Sequence, residues 1–324
     1  MSGAGAQFGS GGVDTLVFHA GALGDSVMLW PLLRALARRD VGPNQVGFVA
    51  ADSHAHLAQR WVLDGLDPGR GRVRAVSGES PWAVALWRGS DEARQRVGIY
   101  EGIREVYTVV PPEGTGGDPP WIEAARIVFP CARIERIGPP GSRSRRDLLA
   151  RAGASTLGSA AARRAGAPRG TQTGPVLLHV GAGGEAKRWP LDRWLELAAL
   201  LRRGGHVTEL CAGPVEHERF SPSERERFAR SSGRFERDPG RLAEMIARSR
   251  AVIACDTGPA HLSAQLGVPT VVLFGPTDPG VWAPVGPRVA VVRPPAPSPM
   301  SWLIPPLAAS GLRGLLVDPG AVPS

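Results

Sequence analysis

The chain has 324 residues, enough for two domains of ordinary size. Its hydrophobic content of 43% and mean hydropathy of −0.09 exclude a disordered chain, and no apolar run approaches the roughly 18 residues a membrane span needs. A net charge of +8 and a pI near 10.7 favour an anionic partner: a nucleic acid, a membrane surface or a phosphorylated ligand. The arginines are dispersed, with no aromatic residues interleaved to stack bases, which argues against nucleic acid. Cys131, Cys211 and Cys255 are odd in number, far apart and not in metal-ligand spacing. They point to a reduced, cytoplasmic setting.

Residues 1–12 are mostly Gly, Ser and Ala, with no basic cluster and no apolar core. They read as a loose tail and not as a signal peptide. Residues 14–20 then read as a buried strand, 21–25 as a turn, and 26–39 as a helix with apolar residues at helical spacing. A strand at 46–50 and a helix at 54–63 complete a βαβ unit, which implies a parallel sheet. The signal is weaker from 64 to 170. Short strands are predicted at 73–76, 105–110 and 125–129, a loop at 111–120, and a helix at 145–152. The stretch from 138 to 174 is rich in Gly, Ala, Arg and Ser and reads as a linker.

After Gly174 the alternation returns. Strands are predicted at 175–180, 205–211, 251–254 and 270–274, with helices at 191–203, 222–230, 241–248 and 259–266. Pro190 falls at the first turn of the 191–203 helix. Beyond Pro287 the chain reads as Pro-rich, without a clear terminal helix. The pattern gives a doubly wound α/β pair: an N-terminal Rossmann-like domain over 13–170, linker included, and a C-terminal one over 171–324. Ligands of such sheets bind at the carboxyl ends of strands. Three of those ends carry unusual chemistry.

At the first, Asp25 opens a helix after Gly21 and Gly24. An aspartate there is either an N-cap or a carboxylate able to take a proton from an incoming hydroxyl. The glycines would let a substrate approach the backbone. The second end carries Lys187, the sole lysine among 38 basic residues. A compact point charge beside a glycine turn is a common phosphate holder, and Arg188 follows it. Gly181-x-Gly183-x-x-Ala186 also outlines a dinucleotide fingerprint, but Pro190 delays the helix that should open directly. No Ser or Thr follows Lys187, so a Walker loop fits worse. The third end is Asp256-Thr257-Gly258-Pro259-Ala260-His261. Asp256 or Thr257 is suited to cap the helix, which leaves His261 as either a satisfied structural group or a ligand; the helix start and these polar side chains together are suited to hold a sugar phosphate.

Together the three loops resemble glycosyltransferase family 9, the ADP-heptose:lipopolysaccharide heptosyltransferases. The matching pieces are Leu23-Gly24-Asp25, Lys187-Arg188-Trp189-Pro190 with Trp194, and Asp256 to His261 running on to Phe274-Gly275-Pro276-Thr277-Asp278-Pro279. The resemblance implies a GT-B-like architecture, two Rossmann-like domains facing across a cleft, and an inverting, metal-independent sugar transfer. It implies Asp25 as general base. It implies a donor site of Gly183, Lys187, Arg188, Asp256, Thr257, Gly258 and His261, with Gly21 and Gly24 in the acceptor-side loop. No cofactor is expected beyond the nucleotide-sugar donor, ADP-linked by resemblance. A lipid-linked or oligosaccharide acceptor and a peripheral contact with the anionic inner face of the inner membrane complete the expected partners. A departing nucleoside diphosphate needs a preorganised positive charge. With no Asp-x-Asp pair at a strand end, Lys187, Arg188 and the helix start are left to supply it. Two other readings stay open: an NAD-dependent oxidoreductase, from the glycine fingerprint, and a non-catalytic nucleotide-sugar-binding protein.

Overall fold

A computed structural model describes residues 13–19, 22–37, 45–50, 52–63, 73–76, 102–110, 120–143, 145, 147 and 173–316. The expected tail at 1–12, Gly21, the loop at 111–119 and residues 148–152 of the expected helix lie outside these. Contacts divide the chain into two compact units: Met1–Gly21 with Leu29–Ser155, and Ala22–Met28 with Thr156–Ser324. No helix among the described residues is long and apolar enough to cross a membrane.

The first unit holds five parallel strands: β1 (Val13–Phe18), β2 (Gln45–Val49), β3 (Val73–Val76), β4 (Glu105–Val109) and β5 (Arg133–Ile137). Their order is β3-β2-β1-β4-β5, so the strand order reverses between β1 and β4. Leu16 pairs with Gly47 on one side and with Val106 on the other. The run 26–39, expected as one helix, is two: α1 (Leu23–Met28) and α2 (Trp30–Ala37). Pro31 explains the break, because it has no N–H to bond back to Val27 and its ring crowds that carbonyl. The next helix, α3 (Asp52–Ala58), closes in a wider π turn at Gln59–Leu63.

The strand expected at 125–129 is not there. That stretch belongs to α4 (Pro120–Val128). Ile122, Ala125, Val128 and Phe129 are all buried, a three-and-four spacing that belongs to a helix face. The real strand follows at β5. It is an edge strand bearing Arg133, Glu135 and Arg136, and such charges blunt an exposed edge while hiding the apolar alternation that would announce a strand. Arg133 reaches back to Glu105 on β4 at 2.7 Å.

The second unit holds six parallel strands: β6 (Val176–Val180), β7 (Thr208–Ala212), β8 (Gly233–Phe235), β9 (Ala251–Cys255), β10 (Thr270–Leu273) and β11 (Val289–Val292). Their order, β11-β10-β9-β6-β7-β8, is 3-2-1-4-5-6 in chain order, the doubly wound dinucleotide-fold arrangement. β6 and β9 are buried at every position, as parallel strands covered on both faces must be. The helices are α5 (Leu191–Arg203), α6 (Pro214–Arg219), α7 (Pro222–Arg230), α8 (Pro239–Arg248), α9 (Gly258–Gln265), α10 (Pro279–Trp282) and α11 (Pro305–Leu316). Proline stands in the first turn of α6, α7, α8, α9 and α10, where its missing N–H costs nothing.

The terminal helix α11 corrects the Pro-rich reading of the end of the chain. Its prolines occupy the first turn, and Ala308, Ala309 and Leu312 are buried. Gly311 lets it lie close on the sheet, since a Cβ there would stand 2.8 Å from Val292 Cγ2. Two buried tryptophans anchor the segment between β6 and α5. Trp189 meets Trp194 edge-on at 5.0 Å, and its indole N–H donates to the Leu303 carbonyl at 3.2 Å. All three cysteines are free thiols, with Cys131 exposed and Cys211 and Cys255 buried.

Candidate functional site

The second sheet reverses its order between β6 and β9, and three neighbouring strands there deliver polar side chains at their carboxyl ends. Lys187 closes a single 3-10 turn, Glu185–Lys187, after β6. Asp256 follows β9, and Thr277 follows β10. The Lys187 Nζ donates to the Asp256 backbone carbonyl and to its Oδ2, both at 3.1 Å. The Thr277 hydroxyl donates to the same Oδ2 at 2.9 Å. The His261 Nε2 lies 3.9 Å from Oδ1, beyond hydrogen-bond length but within electrostatic reach. Lys187, read from the second loop, and Asp256 and His261, read from the third, thus share one cluster.

Burial alone would raise the Asp256 carboxyl. The His261 ring, the Lys187 ammonium and the Thr277 hydroxyl outweigh that and hold it below the ordinary value of 3.8. Asp256 is therefore a carboxylate at neutral pH. An ammonium has three donors, and Asp256 takes two of them. The lysine side chain keeps one third of its surface exposed, so its third N–H is available to an outside acceptor.

The neighbouring residues divide by role. Thr257 stands at the N-cap of α9 but makes no side-chain cap; its hydroxyl donates to the Cys255 carbonyl at 3.1 Å. Asp256 is committed to Lys187 and Thr277, so capping accounts for neither residue. At the start of α9, Pro259 has no N–H, and the Ala260 and His261 N–H groups donate to the Thr257 carbonyl at 3.0 and 3.3 Å. Gly258 is where two backbones touch: a Cβ there would stand 2.9 Å from the Gly24 nitrogen. Gly24, expected to admit a substrate, has Gly258 and the His261 ring as its nearest neighbours. Asp25 lies within the first turn of α1, half-buried, and not ahead of the helix as a cap. Gly183 is exposed with open space around it.

Arg188 turns to other partners. Its guanidinium pairs with Glu224 at 3.3 Å and lies over the Phe220 ring, 5.4 Å from its centroid. Two further residues brace this loop without any advance signal in the sequence. Glu216, buried on α6, accepts the Ala182 N–H at 3.0 Å, and Arg219 donates to the Ala182 carbonyl at 3.4 Å. Burial pushes the Glu216 carboxyl up from its ordinary value, against the pull of the Ala182 amide. Gly181 makes room for it. Its φ is +121°, and a Cβ would overlap the Glu216 carboxyl. Ala186, the third position of the glycine fingerprint, is exposed, whereas a dinucleotide fold uses that position to pack helix on strand.

The second sheet is thus a doubly wound α/β sheet with an ammonium and hydroxyls at its order reversal, the place where such sheets take their ligands. Residues 154–300 match the model of glycosyltransferase family 9 (heptosyltransferase). The chain is 38% identical over 112 residues to lipopolysaccharide heptosyltransferase 1 of Pseudomonas aeruginosa, which covers 32% of this chain and 29% of that protein. It is 32% identical over 120 residues to the Escherichia coli K12 enzyme of the same name, 37% of each. The match therefore spans about a third of these relatives' length. Two solved structures extend the likeness in fold. E. coli heptosyltransferase WaaC with ADP superposes with a TM-score of 0.60 at 20% identity, over 93% of this chain and 99% of that one. The family 9 glycosyl transferase of Veillonella parvula does so with 0.62 at 17% identity, over 97% and 99%. The GT-B-like fold, with its two Rossmann-like domains, is thus shared along nearly the whole chain.

Proposed function

We propose that this chain is an inverting, metal-independent glycosyltransferase that moves a heptose or related sugar from an ADP-sugar to a lipopolysaccharide or other surface-glycan acceptor. The observation that carries the reading is the Lys187 ammonium, held by Asp256 at the order reversal of the family 9 domain with one donor left over. In the reaction the acceptor hydroxyl gives its proton to the Asp25 carboxylate as its oxygen bonds to the anomeric carbon. The bond from that carbon to the phosphate oxygen breaks, and its electron pair leaves with ADP. The negative charge that develops there is met by Lys187, a preorganised cation of the kind that lowers such barriers most. Asp256 and Thr277 hold the lysine in place, and Thr257, Gly258, His261 and Gly183 line the donor's path. The chain's own lysine supplies the charge a metal would otherwise bring. The exposed Ala186 and the late start of α5 favour a nucleotide sugar over NAD. The setting is cytoplasmic, with the basic surface resting on the anionic inner face of the membrane.

Mass spectrometry of nucleotide sugars retained by the purified protein, paired with calorimetric titration of ADP, UDP and NAD, tests this reading. Retention of an ADP-sugar and affinity for ADP over NAD are expected. Tight NAD binding with none for ADP overturns it. ADP-sugar binding with no product from any glycolipid acceptor reduces the chain to a non-catalytic binder.

A further inference from the structure

Lys187 and Arg188 are consecutive, yet their side chains run to different elements. The ammonium reaches the end of β9, whereas the guanidinium reaches α6 and α7. The anchor on that second side is built in layers. Glu224 is the third residue of α7, and its Oε2 accepts the Ser221 N–H at 2.9 Å while the Ser221 hydroxyl accepts the Glu224 N–H at 3.2 Å. This reciprocal capping box fixes the carboxylate. Its other oxygen, Oε1, is the one Arg188 holds. Phe220, beneath the guanidinium, is itself buried and packed edge-on against Phe228 at 5.7 Å and Phe235 at 5.9 Å. Arg188 is therefore gripped by a rigid carboxylate and a rigid ring at once.

Paired and stacked in this way, the Arg188 side chain is only 19% exposed. The open cavity of about 260 Å³ beside it is walled by Glu185, Asp192, Glu224 and Arg227 as well. In that wall Arg227 pairs with Asp192 as Arg188 does with Glu224.

We infer that Arg188 is a positioning residue: docked on Glu224 and Phe220, it locks the 3-10 turn so that Lys187 projects onto Asp256. The inference rests on Lys187 being the cation that faces the donor phosphate, as proposed above. A planar fork stacked on a ring and paired to a fixed carboxylate defines a direction, which a flexible point charge does not. The downstream end is pinned by buried Trp189, so the peptide between residues 187 and 188 has little freedom left. Released from its anchor, that peptide can rotate and carry the lysine away from its place.

The chain's composition makes this directly visible. Lys187 is the only lysine, so lysine-selective carbon-13 labelling yields a single side-chain spin system. In the wild type its ε-methylene signal is expected away from the position of a solvated lysine. In Arg188→Gln and in Glu224→Gln it is expected to move toward that position, whereas Arg193→Gln, which removes a nearby exposed ion pair, leaves it unchanged. Glu224→Gln is isosteric and keeps an acceptor for Ser221, so it tests the anchor even if Arg188→Gln folds poorly. A signal unmoved in both variants overturns the inference. This arm needs no nucleotide, so failure of the wild type to bind ADP counts against the donor reading and leaves the inference to the lysine signal.

A second arm uses ADP and adenosine as probes. Arg188→Gln is expected to weaken ADP roughly tenfold, within the cost of a small misplacement, and to leave adenosine affinity unchanged. In a Lys187→Ala background the same substitution is expected to do nothing further, because it acts through the lysine. A further loss of ADP affinity in that background means that Arg188 touches the phosphate itself, and overturns the positioning role.

Discussion

Asp256 accepts from Lys187 and Thr277 on its Oδ2 and from Lys187 again on its backbone carbonyl, and it is buried while doing so. A lone carboxylate there would be protonated or unstable; with Lys187 and Thr277 on it, it stays charged and in turn aims the lysine. Asp25 has a different setting, half-buried in the first turn of a short helix. These environments predict different failures. Asp25→Asn should slow turnover by on the order of 10²–10⁴ with ADP affinity nearly intact, because a general base acts only on the chemical step. Turnover at the wild-type rate would leave Asp25 as nothing more than a first-turn acid at a helix start. Lys187→Ala should weaken ADP roughly 10- to 100-fold, the loss of one charge-assisted contact of about 1.5–3 kcal/mol. An unchanged dissociation constant by calorimetry removes the lysine from the donor site. Lys187 and His261 were legible in the sequence because each broke a local rule: a lysine where every other basic side chain of that kind is arginine, and a histidine in a helix's first turn. Glu216 broke none. It stands in Glu216-His217-Glu218-Arg219, which reads as a solvated helix face, and only the fold shows it tucked under Gly181.

The starts of α1 and α9 meet through two glycines, and the helices can approach only because neither carries a side chain at the crossing. A methyl on Gly258 would stand 2.9 Å from the Gly24 nitrogen and 3.2 Å from the Leu23 Cβ, whereas one on Gly24 would meet the Gly258 Cα at 3.2 Å. Gly183 has nothing within 4 Å. Thermal and urea unfolding should therefore rank the alanine variants: Gly258→Ala costs about 1–3 kcal/mol by overpacking, Gly24→Ala costs less, and Gly183→Ala stays within about 0.5 kcal/mol. Equal effects at Gly258 and Gly183 would show that the two helix starts do not touch. The elements themselves were legible where one signal dominated. The helix at Leu191–Arg203 shows both ends, with proline before and glycine after. The failures have physical reasons. Ala125, Ile127 and Phe129 alternate like a strand, but Ile122 and Val128 complete a helical stripe. β5 is too charged to look like a strand, and α11 hides behind its own first-turn prolines.

Across the second unit, buried titratable groups set how stability responds to acid, and they do not all pull the same way. His179, at the end of β6, is buried, and its Nδ1 has no hydrogen-bond partner among the described residues. Burial pushes its pKa from 6.5 down to about 4. The folded protein therefore keeps it neutral, while the unfolded chain gains a proton as pH falls below 6.5. Stability present above that pH is lost on the way down to about 4, on the order of 3 kcal/mol in all. Asp256, also depressed, adds its own loss only below its ordinary value of 3.8. Glu216 is raised above 4.5, so it contributes stability that is present below that value and lost as pH rises through its folded value, opposing the other two. Histidine comes first on the acid side because its unfolded value is highest; of the three groups, only Glu216, which pulls the other way, acts with it in the window between pH 6.5 and 4.5. Urea unfolding of the wild type should show a falling midpoint across that window, and His179→Asn should flatten it by removing the titrating ring. Glu216→Gln should keep the slope in that window or steepen it, since it deletes the one opposing group while its amide oxygen still accepts the Ala182 N–H. Parallel wild-type and His179→Asn curves would mean that the imidazole takes its proton in the fold as readily as outside it, which a strand buried on both faces cannot allow.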